Sequence, residues 1–258
     1  ALTRAVLRRA LAAGAGRLAP GQVRVPDGTA ADPGLRRHLG GLLGRDDVDI
    51  AVALGAPRPN RKPVLQLIGG HGETLAWAKL GVDPHTDDLV AHETDALRAL
   101  EPGEELVVPR VVAAGPWRGR RLLVLSHLPS AEATAELSLT ADVVRTIAGP
   151  LREEAVGTSR WLHDLATRAA GTAVDPAALL DDLRVDVGDR TWPFGSWHGD
   201  LAPWNAARSG GRLQVWDWER SSGPVPLGLD VVHNRFLPTA LDGVEPATAA
   251  RAVIQRER

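Results

Sequence analysis

The chain has no cysteine, no methionine and no tyrosine, and only two phenylalanines stand against eight tryptophans. Without cysteine there is no disulfide, no thiolate metal site and no thiol nucleophile. Lysine is nearly missing too, since of 30 basic residues only Lys62 and Lys79 are not arginine. No charge of one sign dominates: the formal net charge is -2 and no long block of like charge occurs, which gives no support to a nucleic-acid or anionic-membrane partner. No apolar run approaches the roughly 20 residues that cross a bilayer. The first residues lack the basic, apolar and small-residue order of a secretion signal, so the expected setting is cytoplasmic. Also absent are GxGxxG, GxSxG and GxxxxGK followed by Ser or Thr. HExxH is begun by His92 and Glu93, but position 96 is alanine and closes no zinc site. A globular protein acting on a small ligand is what these exclusions leave, and nothing indicates its oligomeric state.

The 258 residues, 44% of them hydrophobic, suffice for one large domain or two packed lobes. LTRAVLRRALAAG spaces its apolar residues at helical period and ends in glycine, and a second short helix is expected over 33–43. From Val48 the runs DIAVALGA, KPVLQLIGG and ETLAWAKLG, separated by turn residues, read as three antiparallel strands. VDPHTDDLVAHETDALRAL follows as a helix, with Pro84 early and Leu89, Val90, Glu93, Ala96, Leu97 and Leu100 in helical register. ELVVPRVVAAG and RRLLVLSHL complete a sheet of about five strands. Beyond Ser130 the chain reads as mainly helical, through TADVVRTIAGPLREEA, SRWLHDLATRAA and PAALLDDLRV. ARSGGRLQVWDWE then reads as two short strands joined at Gly210 and Gly211, before helices over 227–237 and 246–258. Strands first and helices afterwards predict an α+β protein, not a doubly wound sheet. The boundary is expected near Leu128, giving an N-terminal lobe over 1–127, with a helical extension over 1–45, and a C-terminal lobe over 128–258.

HGDLAPWN at 198–205, followed by VWDWE at 215–219, places Asp200, Asn205 and Asp217 on a loop, strand, strand segment. Phosphoryl transfer requires one carboxylate beside the attacking hydroxyl and further oxygen donors that hold Mg2+ against nucleotide phosphates. A short loop presents Asp200 and Asn205 toward one cavity, and the turn at Gly210 and Gly211 returns Asp217 beside them. Taken singly, each residue is equally an ordinary loop or strand-end polar group, and only the joint pattern favours a site.

These motifs resemble those of the aminoglycoside phosphotransferase and choline kinase group of small-molecule kinases. The group shares a protein-kinase-like fold, a small antiparallel sheet with one key helix set against a mainly helical C-terminal lobe. The resemblance implies an enzyme that moves the γ-phosphoryl group of ATP, or of another nucleoside triphosphate, to a hydroxyl of a small molecule with Mg2+. By it Asp200 would orient the acceptor hydroxyl or take its proton, Asn205 and Asp217 would hold Mg2+, and His198 would brace the loop. Lys79 in LAWAKLG and Glu93 in the following helix stand in the order of the family's phosphate-binding lysine and the glutamate that holds it. A lysine kept where arginine serves almost everywhere else suits a task for a compact ammonium. A solvated strand-end lysine and a surface glutamate are the plainer readings of the same two residues.

In the same family the adenine bonds the backbone of the segment joining the lobes, which maps to Ser126, His127 and Leu128. Asp230, in GPVPLGLDVVHNRF, matches an aspartate that begins a helix after the metal motif and serves to tether or cap it. The turn APRPNR departs from the glycine-rich pattern of protein kinases; Arg58, Asn60 and Arg61 could donate side-chain hydrogen bonds there, or the turn is simply rigid. Trp192, Trp197, Trp204, Trp216 and Trp218 cluster around the motifs and are expected mostly in the core. The charge is +3 before residue 128 and -5 from it onward, which fits ATP facing a neutral or cationic alcohol. Aminoglycosides, amino alcohols, macrolides and sugars all satisfy that description. Only 41 residues follow Asp217, fewer than the resemblance implies, so part of the acceptor pocket is expected to be missing. A catalytically silent nucleotide-binding or scaffold protein is the competing expectation.

Overall fold

The structure is a computed structural model describing residues 34–53, 59–128, 139–169 and 177–256. The first expected helix and Arg58 lie outside the described residues. In chain order the first half forms α1 (Leu35–Leu43), β1 (Asp49–Ala53), β2 (Val64–Ile68), β3 (Thr74–Leu80), α2 (Pro84–Ala99), β4 (Leu106–Val107), β5 (Val111–Trp117) and β6 (Arg120–Ser126). Five of these strands make an antiparallel sheet in the spatial order β1-β2-β3-β6-β5.

Alternation along the strands separates two cores. Leu65, Leu67, Ala76, Ala78, Leu122 and Val124 pack with Leu39 of α1 and Val48 on one face. Leu123 and Leu125 join Val90 and Leu97 of α2 on the other. Lys79, directly opposite Val64 and Leu123 in register, shares this second face. Helix α2 covers it because its start is strongly specified: the Asp83 carboxylate accepts from the Thr86 N–H at 2.7 Å, the Thr86 hydroxyl accepts from the Asp83 N–H at 3.0 Å, and Pro84 opens the first turn. Its buried stripe is Thr86, Val90, Glu93, Thr94 and Leu97, so Glu93 points inward by the same periodicity that buries Val90 and Leu97.

The rest of the chain forms α3 (Ala141–Ala148), β7 (Arg152–Ala155), α4 (Arg160–Ala169), α5 (Ala177–Val187), β8 (Thr191–Trp197), β9 (Ala206–Ser209), β10 (Arg212–Val215), β11 (Ser222–Pro226), α6 (Leu229–Leu241) and α7 (Pro246–Arg256). Strands β9 and β10 are joined by Gly210 and Gly211, with φ of 57° and 80°, as a two-residue turn of this sense demands. Three expectations are corrected. ELVVPRVVAAG is two strands, because Pro109 supplies no N–H to a ladder; β5 stays in the large sheet while β4 pairs in parallel with β10. TADVVRTIAGPLREEA is not one helix, since Gly149 at φ 64° ends α3 before Pro150 and the REEA segment becomes β7. The runs TWPFGSW and SGPVP, unassigned from sequence, are β8 and β11, which with β7 make a three-stranded sheet in the order β11-β8-β7.

These sheets deliver the motifs. Strand β8 ends at Trp197, immediately before His198, and β10 ends at Val215, immediately before the WDWE run. Leu201, Ala206, Leu213, Val215 and Trp218 then bury against Leu106, Leu123, Leu125, Val143 and Ile147, so the second face of the large sheet and the motif segment share one core. Each fully buried leucine there contributes about 2 kcal/mol of hydrophobic stabilisation. Among the described residues no helix is long and apolar enough to cross a membrane.

Candidate active site

The 198–205 loop is held from both sides by polar contacts. Gly199 has φ 79°, and a Cβ there would stand 2.3 Å from the Arg220 carbonyl oxygen, so both the backbone angle and the close approach require glycine. Asp230, buried in the first turn of α6, accepts from the N–H groups of His198 at 2.8 Å and Gly199 at 3.2 Å. One turn further, Asn234 donates to the Leu201 carbonyl at 2.9 Å. His198 is fully buried: its Nε2 lies 3.1 Å from the Trp216 carbonyl, its Nδ1 accepts from the Asp200 N–H at 3.2 Å, and its ring meets Trp218 edge-on at 4.6 Å. The ring thus ties the loop to the strand end that carries Asp217.

Asp200 is half-buried at the loop's outer edge. His233 of α6 lies 3.2 Å from its Oδ1, and the Asn205 amide donates to its Oδ2 at 3.3 Å and to its backbone carbonyl at 2.9 Å. Asn205, closing a single 3-10 turn over Pro203–Asn205, in turn accepts the Trp216 N–H on its backbone carbonyl at 3.0 Å.

Behind this loop lies a largely buried charged cluster. Lys79 Nζ is 2.7 and 2.6 Å from the two Glu93 carboxylate oxygens and 2.6 Å from Asp217 Oδ1. Glu93 is fully buried and also accepts from the Trp218 N–H at 3.3 Å. Burial alone would lower the Lys79 pKa, but Glu93 and then Asp217 outweigh it and hold the ammonium above its ordinary value. Asp217 is resisted by burial and pulled below the usual carboxylate range by Lys79 first, then Lys62. Both partners are therefore ionised. Asp217 also sits at φ 72°, in the left-handed region, which costs a non-glycine residue about 1 kcal/mol and is maintained here by the contacts of its carboxylate. Glu93, Asp217 and Glu219 each place one carboxylate oxygen within 4.8 Å of the others. Oxygen donors of this kind suit a hard cation such as Mg2+, and since both Glu93 oxygens are taken by Lys79, Asp217 and Glu219 are the carboxylates of the set that would hold it.

The remaining predicted residues fall as follows. Ser126 ends β6, with its N–H donating to the Arg110 carbonyl and its hydroxyl accepting from the Arg110 N–H, both at 2.9 Å, while His127 and Leu128 lie past the sheet. His127 Nδ1 accepts from Trp77 Nε1 at 3.3 Å. Asn60 donates to Glu219 Oε1 at 3.5 Å. Of the five tryptophans only Trp218 is in the core; Trp192 and Trp204 are about half exposed, which corrects the expectation for the group. Four residues of the site were not anticipated: Lys62, Glu219, His233 and Asn234. Lys62 carried a signal as the chain's other lysine, and Glu219 lies inside the WDWE motif; nothing local marked His233 or Asn234.

Burial pulls the His198 imidazole down to about 4, against the opposing hydrogen bond to Trp216. An unfolded histidine titrates near 6.5, so from about pH 6.5 down to 4 the unfolded chain takes up a proton that the folded chain refuses, and stability is lost on acidification. Asp230 acts in the opposite sense. Burial, opposed by the His198 and Gly199 amides, pushes its carboxyl up to about 6, and its contribution is lost as pH rises through that value. Replacing His198 by Asn should remove the first effect alone. Denaturant titrations should then show the wild-type advantage shrinking by about 2–3 kcal/mol between pH 6.5 and 4. A pH-independent difference would contradict the buried neutral ring.

No protein-family description matches the sequence, and no curated protein does. Solved structures do match. The chain is similar to an aminoglycoside-3'-phosphotransferase of type VIII, with a TM-score of 0.50 at 18% identity over 86% of this chain and 90% of that one. It is also similar to APH(2")-IIia, solved as its GDP and kanamycin complex, with a TM-score of 0.51 at 15% identity over 83% and 84% of the two chains. The fold is that of the aminoglycoside phosphotransferases. It is α+β and protein-kinase-like, in agreement with the expectation from sequence.

Proposed function

We propose that the protein is a small-molecule O-phosphotransferase, moving the γ-phosphoryl group of ATP or another nucleoside triphosphate to a hydroxyl of a small acceptor. The observation that carries the reading is the convergence of Lys79 from the sheet, Glu93 from α2 and Asp217 from 138 residues further along the chain into one buried, ion-paired set. Beside it stands the loop bearing Asp200 and Asn205. Lys79 binds nucleotide phosphate, and Glu93 fixes its direction. Asp217 and Asn205 would hold Mg2+, with the Glu219 carboxylate available as a further oxygen donor. The chemistry that Mg2+ held there would supply is positive charge against the transferring phosphoryl group. Asp200, steadied by Asn205 and His233, faces the acceptor hydroxyl and takes its proton. His198 and Asp230 hold the loop in place. The backbone beyond β6, at His127 and Leu128 with Ser126, is where the adenine docks.

Residues 1–127 and 128–258 act as nucleotide and acceptor lobes, and a cytoplasmic setting supplies the triphosphate. The fold of the solved neighbours and the acidic second half support an acceptor that is a neutral or cationic alcohol. Incubating the protein with Mg2+, ATP and a mixed panel of aminoglycosides, amino alcohols, macrolides and sugars should give one or more acceptors the mass of an added phosphate. Nucleotide binding with every acceptor unchanged would favour a catalytically silent protein instead.

A further inference from the structure

The chain's only two lysines are both buried, and each meets a different acid of the same WDWE segment. Lys79 pairs with Asp217, and the Lys62 ammonium is hydrogen-bonded to Glu219 Oε2. Lys62 lies two residues before Val64, which opens β2 directly opposite Lys79. The Lys62 charge is felt at Asp217, where it is among the influences that favour the ionised carboxylate. Two ammonium groups therefore flank a group of three carboxylates, Glu93, Asp217 and Glu219, one oxygen of each standing within 4.8 Å of the others.

Fold stability gives a weak reason for the second pair, since a buried ion pair is often no better than an apolar replacement. Nor does the chain's general preference explain it, because every other basic residue is arginine. What distinguishes lysine is a compact charge with three donors on a flexible stem, able to change partners by rotating its side chain.

We propose that Lys62 is a second phosphate-binding residue of the nucleotide site, held on Glu219 until a triphosphate enters. The inference rests on the phosphotransferase reading. A polyanionic triphosphate approaching three carboxylates needs more than one cation on the protein side. The Lys62 ammonium would exchange the Glu219 carboxylate for a phosphate oxygen, and the Glu219 oxygens so vacated would be among those able to hold Mg2+.

The test uses calorimetric affinities for ATP and AMP in chelator-containing, Mg2+-free buffer. It compares the wild type, Glu219→Gln, and the double variant Glu219→Gln with Lys62→Met. The double variant leaves no buried charge of this pair unpaired, and a thermal melt checks its fold. Glu219→Gln should strengthen ATP binding relative to AMP, because the Glu219 charge no longer competes with phosphate for Lys62. Removing Lys62 in that background should weaken ATP by about tenfold or more with AMP unchanged. Equal losses for ATP and AMP, or no loss, would overturn the role of Lys62 while leaving the phosphotransferase reading intact. Failure of the wild type to bind ATP even in a parallel titration with Mg2+ would overturn both.

Discussion

Asp200→Asn is expected to lower phosphoryl transfer by about a thousandfold or more while nucleotide affinity changes by less than about twofold. The asymmetry follows from position. The Asp200 carboxylate contacts His233 and Asn205 at the loop's outer edge, whereas the ion pairs that would receive a nucleotide are made by Lys79, Glu93 and Asp217 behind it. An asparagine fills the same volume and keeps a carbonyl oxygen for hydrogen bonding, so the loop should stay folded. It cannot accept the proton of an attacking hydroxyl. Steady-state rates and calorimetry on one preparation separate the two effects, and near wild-type turnover would remove Asp200 from the chemistry.

Lys79→Met should act on stability and activity together. It strips the shared counter-ion from a fully buried Glu93 and from the half-buried Asp217, leaving two carboxylates close together. Breaking a buried pair by deleting one partner costs about 3–5 kcal/mol, and chemical denaturation should register a loss of that size. Turnover should fall by about a hundredfold or more, because the phosphates lose their fixed cation and Asp217 loses the contact that steadies its left-handed backbone. Lys79→Arg should restore part of the stability and little of the rate, since a planar fork does not reproduce a point charge at this depth. A Lys79→Met protein as stable and active as the wild type would mean that the cluster is incidental.

Residue pattern alone exposed much of this arrangement, for identifiable reasons. The helical stripe through Val90 and Leu97 also contains Glu93, so the inward direction of that glutamate was implicit in the spacing. The two glycines at 210 and 211 announced the hairpin that returns Asp217. Where the reading failed, a short segment owed its state to a distant partner. Leu106–Val107 is a strand because Leu213–Gln214 lies beside it, and Arg152–Ala155 because β8 does. Pro109, Gly149 and Pro150 are the local punctuation that separates these segments. The contacts of Lys62 with Glu219 and of His233 with Asp200 span 157 and 33 residues, and no local periodicity encodes such meetings.

The central claim is that one chain both binds a nucleoside triphosphate and passes its terminal phosphoryl group to a small hydroxylated acceptor. The most direct measurement follows γ-labelled ATP with Mg2+ and the acceptor panel, using wild type and Asp200→Asn side by side. The account predicts label covalently attached to an acceptor with the wild type and essentially none with the variant. Label released only as inorganic phosphate, or transferred equally by both proteins, would contradict it.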